Sequence, residues 1–199
     1  IKLIYDINLG DKDKINEIQF IGDKKIKDRK LRNVITSEES KFWKFISTRV
    51  YLDNERIGLD KRLLTRYYKN NGYYNVDIEN SFVEFKQNGS FKLIFNINSG
   101  KKFIFNKLNI TLPDDYDPKY FVKINNLLKK LENKKYSLNK INKILKEIDN
   151  IALLKQYEFI DAVVSEDIVQ GDKLDITFSL IETDKFYVER INILGNQHT

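Results

Sequence analysis

The chain has 199 residues, enough for one large or two small domains, and its 41% hydrophobic and 13% aromatic content can fill real cores, which argues against disorder. It has no Cys and one His, which excludes disulfides and thiolate chemistry and leaves little for metal or general-base work. Lys and Arg number 35 against 29 Asp and Glu, a net charge of +6, but the basic runs (Lys24-Lys25, Lys129-Lys130, Lys134-Lys135) are short and interspersed, the pattern of solvated faces.

The elements follow in chain order. Ile4 to Leu9 alternates as a strand, breaks at Gly10, and a second strand runs from Ile15 to Phe20 before the turn signal Gly22-Asp23. Asp28 is placed to cap a short helix carrying Ile26, Leu31, Val34 and Ile35. An apolar loop, Phe42-Trp43-Lys44-Phe45-Ile46, leads to a second helix from about Asn54. Its predicted apolar stripe is Leu59, Leu63, Leu64 and Tyr67, with Gly72 supplying the left-handed stop. Val76 and Ile78 open a strand that continues to Phe85. Asn88-Gly89 then makes a two-residue hairpin turn, and Phe91, Leu93, Phe95 and Ile97 alternate on the return.

The same order recurs. After Phe103 to Ile110, Asp117-Pro118 marks a helix start with Phe121, Ile124, Leu128 and Leu131 on one face. Ser137 is expected to cap a further helix carrying Ile141, Ile144, Leu145, Ile148 and Ile151. Ala162 to Val169, the turn Gln170-Gly171-Asp172, and Leu174 to Leu180 form a hairpin, and after a break at Thr183 another strand runs from Phe186 to Leu194. The breaks Gly10, Gly100 and Thr183 lie 90 and 83 residues apart. A joint recurring at that period reads as an array of small domains, with the chain cut from something longer.

Three stretches carry a family resemblance: Ile15 to Asp23, Leu59 to Tyr73 with the following Tyr74-Asn75-Val76, and Asn96 to Phe103. With the closing Phe186 to Asn196, they are similar to POTRA domains, the periplasmic repeats of BamA-type outer-membrane assembly factors. The second unit departs from the family at Tyr157-Glu158-Phe159, where it usually has Gly-Tyr, and at Thr111-Leu112. The resemblance implies an α+β fold of tandem β-α-α-β-β domains, each a three-stranded mixed sheet covered on one face by two antiparallel helices. Residues 1–12 would be the last strand of a preceding POTRA, 13–98 a complete third-like POTRA, 99–183 a fourth-like one, and 184–199 the first strand of the next.

The resemblance further implies a non-enzymatic scaffold in the periplasm of a Gram-negative bacterium, joined to a C-terminal membrane β-barrel. Its implied partners are the lipoproteins of the assembly machinery and unfolded outer-membrane protein substrates. An edge strand exposes unpaired N–H and C=O groups that an incoming chain can satisfy. In a three-stranded sheet with the third strand central, the first and second strands are edges. The preferred docking segment is therefore Tyr74, Asn75, Val76, Asp77, Ile78 and Glu79, although Asp77 and Glu79 equally suit protection against unwanted pairing. Ala162 to Ser165 is a weaker candidate. Phe42, Trp43 and Phe45 form a second candidate contact, with closure of the local core as the competing role. Gly10, Gly100 and Thr183 are the interdomain joints.

No cofactor, metal ion or small-molecule ligand is expected, since the carboxylates at Asp114, Asp115 and Asp117 lack the spacing of a calcium loop. A KH-like RNA-binding module shares the opening β-α-α-β-β order, but it needs a GXXG loop between its helices. The segments Phe42 to Tyr51 and Glu132 to Tyr136 contain no Gly, so nucleic acid is not an expected partner. Another POTRA-bearing machine, TamA-like or of two-partner secretion type, is the nearer alternative.

Overall fold

A computed structural model of the protein describes residues 14–41, 43, 47–85, 91–157 and 160–182. They form two compact units, one comprising residues up to Ile104 with Lys135–Lys140, the other Phe105–Lys134 with residues from Ile141 onward. The first contains strand β1 (Ile15–Asp23), helices α1 (Asp28–Arg32) and α2 (Asn54–Asn70), and strands β2 (Asp77–Phe85) and β3 (Phe91–Asn98). Its sheet has the order β1-β3-β2, with β1 parallel and β2 antiparallel to the central β3. Tandem mixed sheets with helices between the first two strands are thus the architecture of the chain.

One face of this sheet is apolar because every second residue is. Ile18 lies opposite Leu93 and Phe20 opposite Phe95, whose rings stack at 5.6 Å. Leu31 of α1 and Ile57, Leu64 and Tyr68 of α2 close over them, with Ile26, Val34, Ile35 and Tyr67 packed around the rim. Each such aliphatic or aromatic side chain contributes about 1.5–3 kcal/mol on burial. β1 runs on through Gly22, which has a φ of +84° and pairs with Ile97; a Cβ there would meet the Ile97 carbonyl oxygen at 2.5 Å. Only glycine fits.

The helices differ from the sequence reading in three places. α1 begins one residue earlier than expected: Lys27 rather than Asp28 is its N-cap, without a side-chain bond, and Asp28 in the first turn pairs with Lys24 at 2.5 Å. α2 is capped by Asp53, which accepts from the Arg56 amide at 2.9 Å, and stops at Gly72 with a φ of +97°. Its buried stripe is Ile57, Asp60, Leu64 and Tyr68, whereas Leu59 is exposed. The expected stripe was off by part of a turn because a carboxylate occupies a core position. Asp60, fully buried, accepts from the Thr36 amide (2.6 Å), the Thr36 hydroxyl (2.7 Å) and the Ser37 amide (3.1 Å), and so fastens the start of the α1–α2 loop to the core.

The second unit carries β4 (Ile104–Thr111), α3 (Val122–Leu131), most of α4 (Leu138–Leu154), β5 (Ile160–Gln170) and β6 (Lys173–Glu182), with the sheet order β4-β6-β5. Asp117 and Pro118 start a 3-10 turn that continues into α3, the Asp117 carboxylate accepting from the Lys119 amide at 3.0 Å. Phe121, Ile124 and Leu128, Ile141, Ile144 and Ile148, and Phe105, Leu174, Ile176 and Phe178 are all essentially without solvent exposure, the core of this unit. At the start of α4, Ser137 does not act as the expected cap. The Asn70 side-chain oxygen instead accepts from the Asn139 amide at 2.8 Å and from the Ser137 hydroxyl at 3.3 Å, all three residues lying in the first unit. The Asn88-Gly89 turn and Glu158-Phe159 lie outside the described residues.

Candidate strand-docking edges

A three-stranded sheet has two edges, and in the first unit one of them is closed. The outward backbone groups of β1 are taken by side chains and by the α1–α2 loop. The Ile18 amide donates to the Glu39 carboxylate at 3.0 Å, and the Ile18 carbonyl accepts from the Arg32 guanidinium at 2.5 Å, Arg32 and Glu39 being themselves paired. The Ile15 carbonyl accepts from the Ser40 amide at 2.6 Å, and the Phe20 carbonyl from the Lys24 ammonium at 3.0 Å. No row of free donors and acceptors remains there for an added strand. Arg32 and Glu39 lie 14 and 21 positions from Ile18 in sequence, so alternation along β1 gave no sign of the closure.

The other edge is β2, and it differs from the segment chosen from sequence. Tyr74 and Asn75 form a turn, and Val76 precedes the strand with its amide donating to the Tyr73 carbonyl at 3.4 Å. Tyr74, Asn75 and Val76 are therefore not edge-strand residues. The cause is the helix stop at Gly72, whose chain reversal extends through a second turn before the backbone can extend. Asp77 starts β2 opposite Asn98, but the next paired residues are Asn80 and Asn96, so a bulge falls at Ile78 and Glu79. Val76 and Ile78 are buried and Asp77 and Glu79 exposed. The regular edge is Asn80 to Phe85, where Glu84 and Glu17 flank Lys92 at 3.9 and 3.8 Å across the sheet. These half-exposed ion pairs contribute little stability.

The second sheet repeats the asymmetry. The start of β4 is paired on its outer side with the segment between α3 and α4: the Phe105 amide donates to Lys134 at 2.9 Å, and the Asn133 amide donates to Phe105 at 2.8 Å. β5 is the opposite edge, and its ladder with β6 is unbroken from Ile160 to Ile168, with one irregularity near Gln170. Val163, 49% exposed, and Ile168, 52% exposed, lie along it on opposite faces. β5 is thus the longer and more regular open edge. The bulge that shortens the regular part of β2 cannot be read from the alternation of Val76 and Ile78.

Trp43 is 58% exposed, with the Lys41 ammonium 5.5 Å from its ring centroid, so it does not close the core. Phe42 and Phe45 lie outside the described residues, as do Gly10 and Thr183. Gly100 has a φ of +64° and follows Ser99, whose amide donates to the Asp23 carbonyl at 3.0 Å. The Phe103 amide donates to Gly72 at 2.8 Å, so this stretch is bonded to the first unit rather than free. No helix is long and apolar enough to cross a membrane, and no cluster of three metal-ligating side chains occurs among the described residues.

Residues 14–100 match the POTRA family, described as a surface antigen variable number repeat. Over 93% of its length the chain is 23% identical to the outer membrane protein assembly factor BamA of Neorickettsia risticii, and over 97% it is 24% identical to BamA of Neisseria meningitidis serogroup B. It spans about a quarter of the length of these curated relatives (25% and 24%). The solved structure of Haemophilus influenzae BamA POTRA3-5 shares the fold, with a TM-score of 0.70 at 16% identity over 96% of this chain and 76% of that one.

Proposed function

We infer that the chain is a POTRA region of the BamA type and a non-enzymatic periplasmic scaffold in outer-membrane β-barrel assembly, a reading supported by the family match over residues 14–100, the BamA relatives and the shared fold. The two units are consecutive POTRA domains, third-like and fourth-like, of a longer protein ending in a membrane barrel. Their substrates are unfolded outer-membrane proteins, whose short alternating strands present the backbone pattern an open sheet edge needs. Assembly-machinery lipoproteins are the second class of partner, and the exposed Trp43 is a candidate anchor for one.

One observation carries this reading: in each unit the edge at the first strand is bonded to the segment between the helices, while the edge at the second strand has no neighbouring strand among the described residues. Blocking one edge and leaving the other open directs addition to β5 and to the Asn80–Phe85 part of β2. Proline tests it, because successive residues of a strand aim their N–H groups alternately at the neighbour and outward. Of Val163→Pro and Val164→Pro, one removes an outward donor and the other a ladder bond to β6. The account expects the outward variant to keep its melting curve yet lose binding of a barrel-strand peptide. Binding unchanged in that variant moves the site away from β5.

A further inference from the structure

Beside the sheet of the first unit lies a cavity of about 280 Å³ lined by Lys25, Ile26, Lys27, Lys30, Tyr67, Asn71, Tyr73, Lys102 and Lys135, all belonging to that unit. Five of the nine are lysines and none is acidic. Lys25 is engaged by Asp23 at 2.8 Å, and Lys102 lies over the Tyr73 ring at 5.6 Å. Lys27, Lys30 and Lys135 have no ion pair among the described residues. Two other lysines of this unit are paired with carboxylates, Lys24 with Asp28 and Lys92 with Glu17 and Glu84. Like charges gathered around one concavity repel one another and raise the local potential, so the site is poised for an anion.

The walls are fixed by backbone bonding rather than by the lysines themselves. Lys102 adjoins Phe103, whose amide is held by Gly72, and Lys135 is bridged to Ile104. Gly72 makes room for the cluster: a Cβ there would meet the Lys135 Cγ at 2.8 Å and lie 3.7 Å from the Lys102 Cγ. The ligand chemistry follows from the donors. The donors are ammonium point charges, which bind a phosphoryl group without a planar fork, and the tyrosines Tyr67 and Tyr73; several such donors around one concavity can reach the separate oxygens of a compact tetrahedral oxyanion. We propose that this cavity is a binding site for a phosphoryl group, as free phosphate or as the headgroup of an anionic phospholipid.

The test follows the amide resonances of the 199-residue chain during titration with inorganic phosphate, and sedimentation with phosphatidylglycerol-containing and pure phosphatidylcholine vesicles. The expected result is saturable shifts confined to Lys25–Lys30, Tyr73 and Lys102. The Kd should rise at least about tenfold, about 1.4 kcal/mol, in Lys27→Gln/Lys30→Gln/Lys102→Gln, and stay unchanged in the control Lys129→Gln/Lys130→Gln/Lys143→Gln. If the first triple variant also abolishes pelleting with phosphatidylglycerol vesicles, the source is a lipid headgroup; if phosphate binds and vesicles do not pellet the protein, it is a free phosphoryl group. Shifts spread over the lysines at large, equal loss in both triple variants, or tighter binding of hexaglutamate than of phosphate would overturn the proposal. Matching thermal melts of the two variants exclude unfolding as the cause.

Discussion

Asp60 is the residue whose replacement tests the packing argument most sharply. In Asp60→Ala the amides of Thr36 and Ser37 lose their acceptor, and Ser37 is only 4% exposed. A buried donor left without a partner costs about 1–3 kcal/mol. With Thr36 half-buried and reachable by water, the two together come to about 3 kcal/mol, from which the better helix propensity of Ala returns about 0.5 kcal/mol. For a unit of this size that is a melting temperature lower by about 10–20 °C. Urea and thermal melts followed by far-UV circular dichroism measure the loss, and amide hydrogen exchange should show Thr36 and Ser37 losing protection first. Asp60→Asn keeps one acceptor oxygen and should fall between the two. The neighbouring Ser37→Ala is the control: its hydroxyl is buried without a hydrogen-bond partner among the described residues, so its removal should be neutral or stabilising. A loss under about 0.5 kcal/mol in Asp60→Ala, or a larger one in Ser37→Ala, would refute the reasoning.

Other expectations follow from single contacts. Gly22→Ala places a Cβ against the Ile97 carbonyl in a left-handed backbone and should cost about 2–4 kcal/mol by urea titration. Glu39→Ala frees the Ile18 amide and opens the β1 edge, so it should cost about 1.5–3 kcal/mol and raise concentration-dependent association in sedimentation velocity. The buried Tyr68 hydroxyl donates to the Lys24 carbonyl, and burial, reinforced by Tyr73, pushes its pKa above the usual 10.0. Its contribution is therefore complete below pH 10 and is lost as pH rises, since the unfolded chain ionises first. Tyr68→Phe should lose about 1 kcal/mol at pH 7 and show a shallower decline in stability above pH 10 in melts taken across that range.

Much of this architecture is legible in the sequence because it rests on local patterns. Alternation placed Phe91 to Ile97 and Leu174 to Leu180 as central strands, and Asp117-Pro118 and Gly72 marked helix ends by backbone chemistry alone. What escaped depended on distant partners. Asp60 looks like a solvent-facing helix residue until Thr36 and Ser37, 24 and 23 positions away, are brought to it. The bulge at Ile78 and Glu79 arises from pairing with β3 and leaves no trace in residue type, and the second turn after Gly72 delays the strand that alternation placed from Val76. The closure of β1 by Glu39 and Arg32, and the gathering of Lys102 and Lys135 beside Lys27 and Lys30, likewise belong to tertiary structure.

The central claim, strand addition at the open edge, is tested most directly by residue-resolved amide exchange along β5 with and without a roughly ten-residue alternating peptide from a membrane barrel strand. An added strand can engage only the amides that point away from β6. The account predicts new protection at every second residue between Asp161 and Ile168, with the intervening amides, already bonded to β6, unchanged. Protection that is uniform along β5, or absent while the peptide is bound, would contradict it.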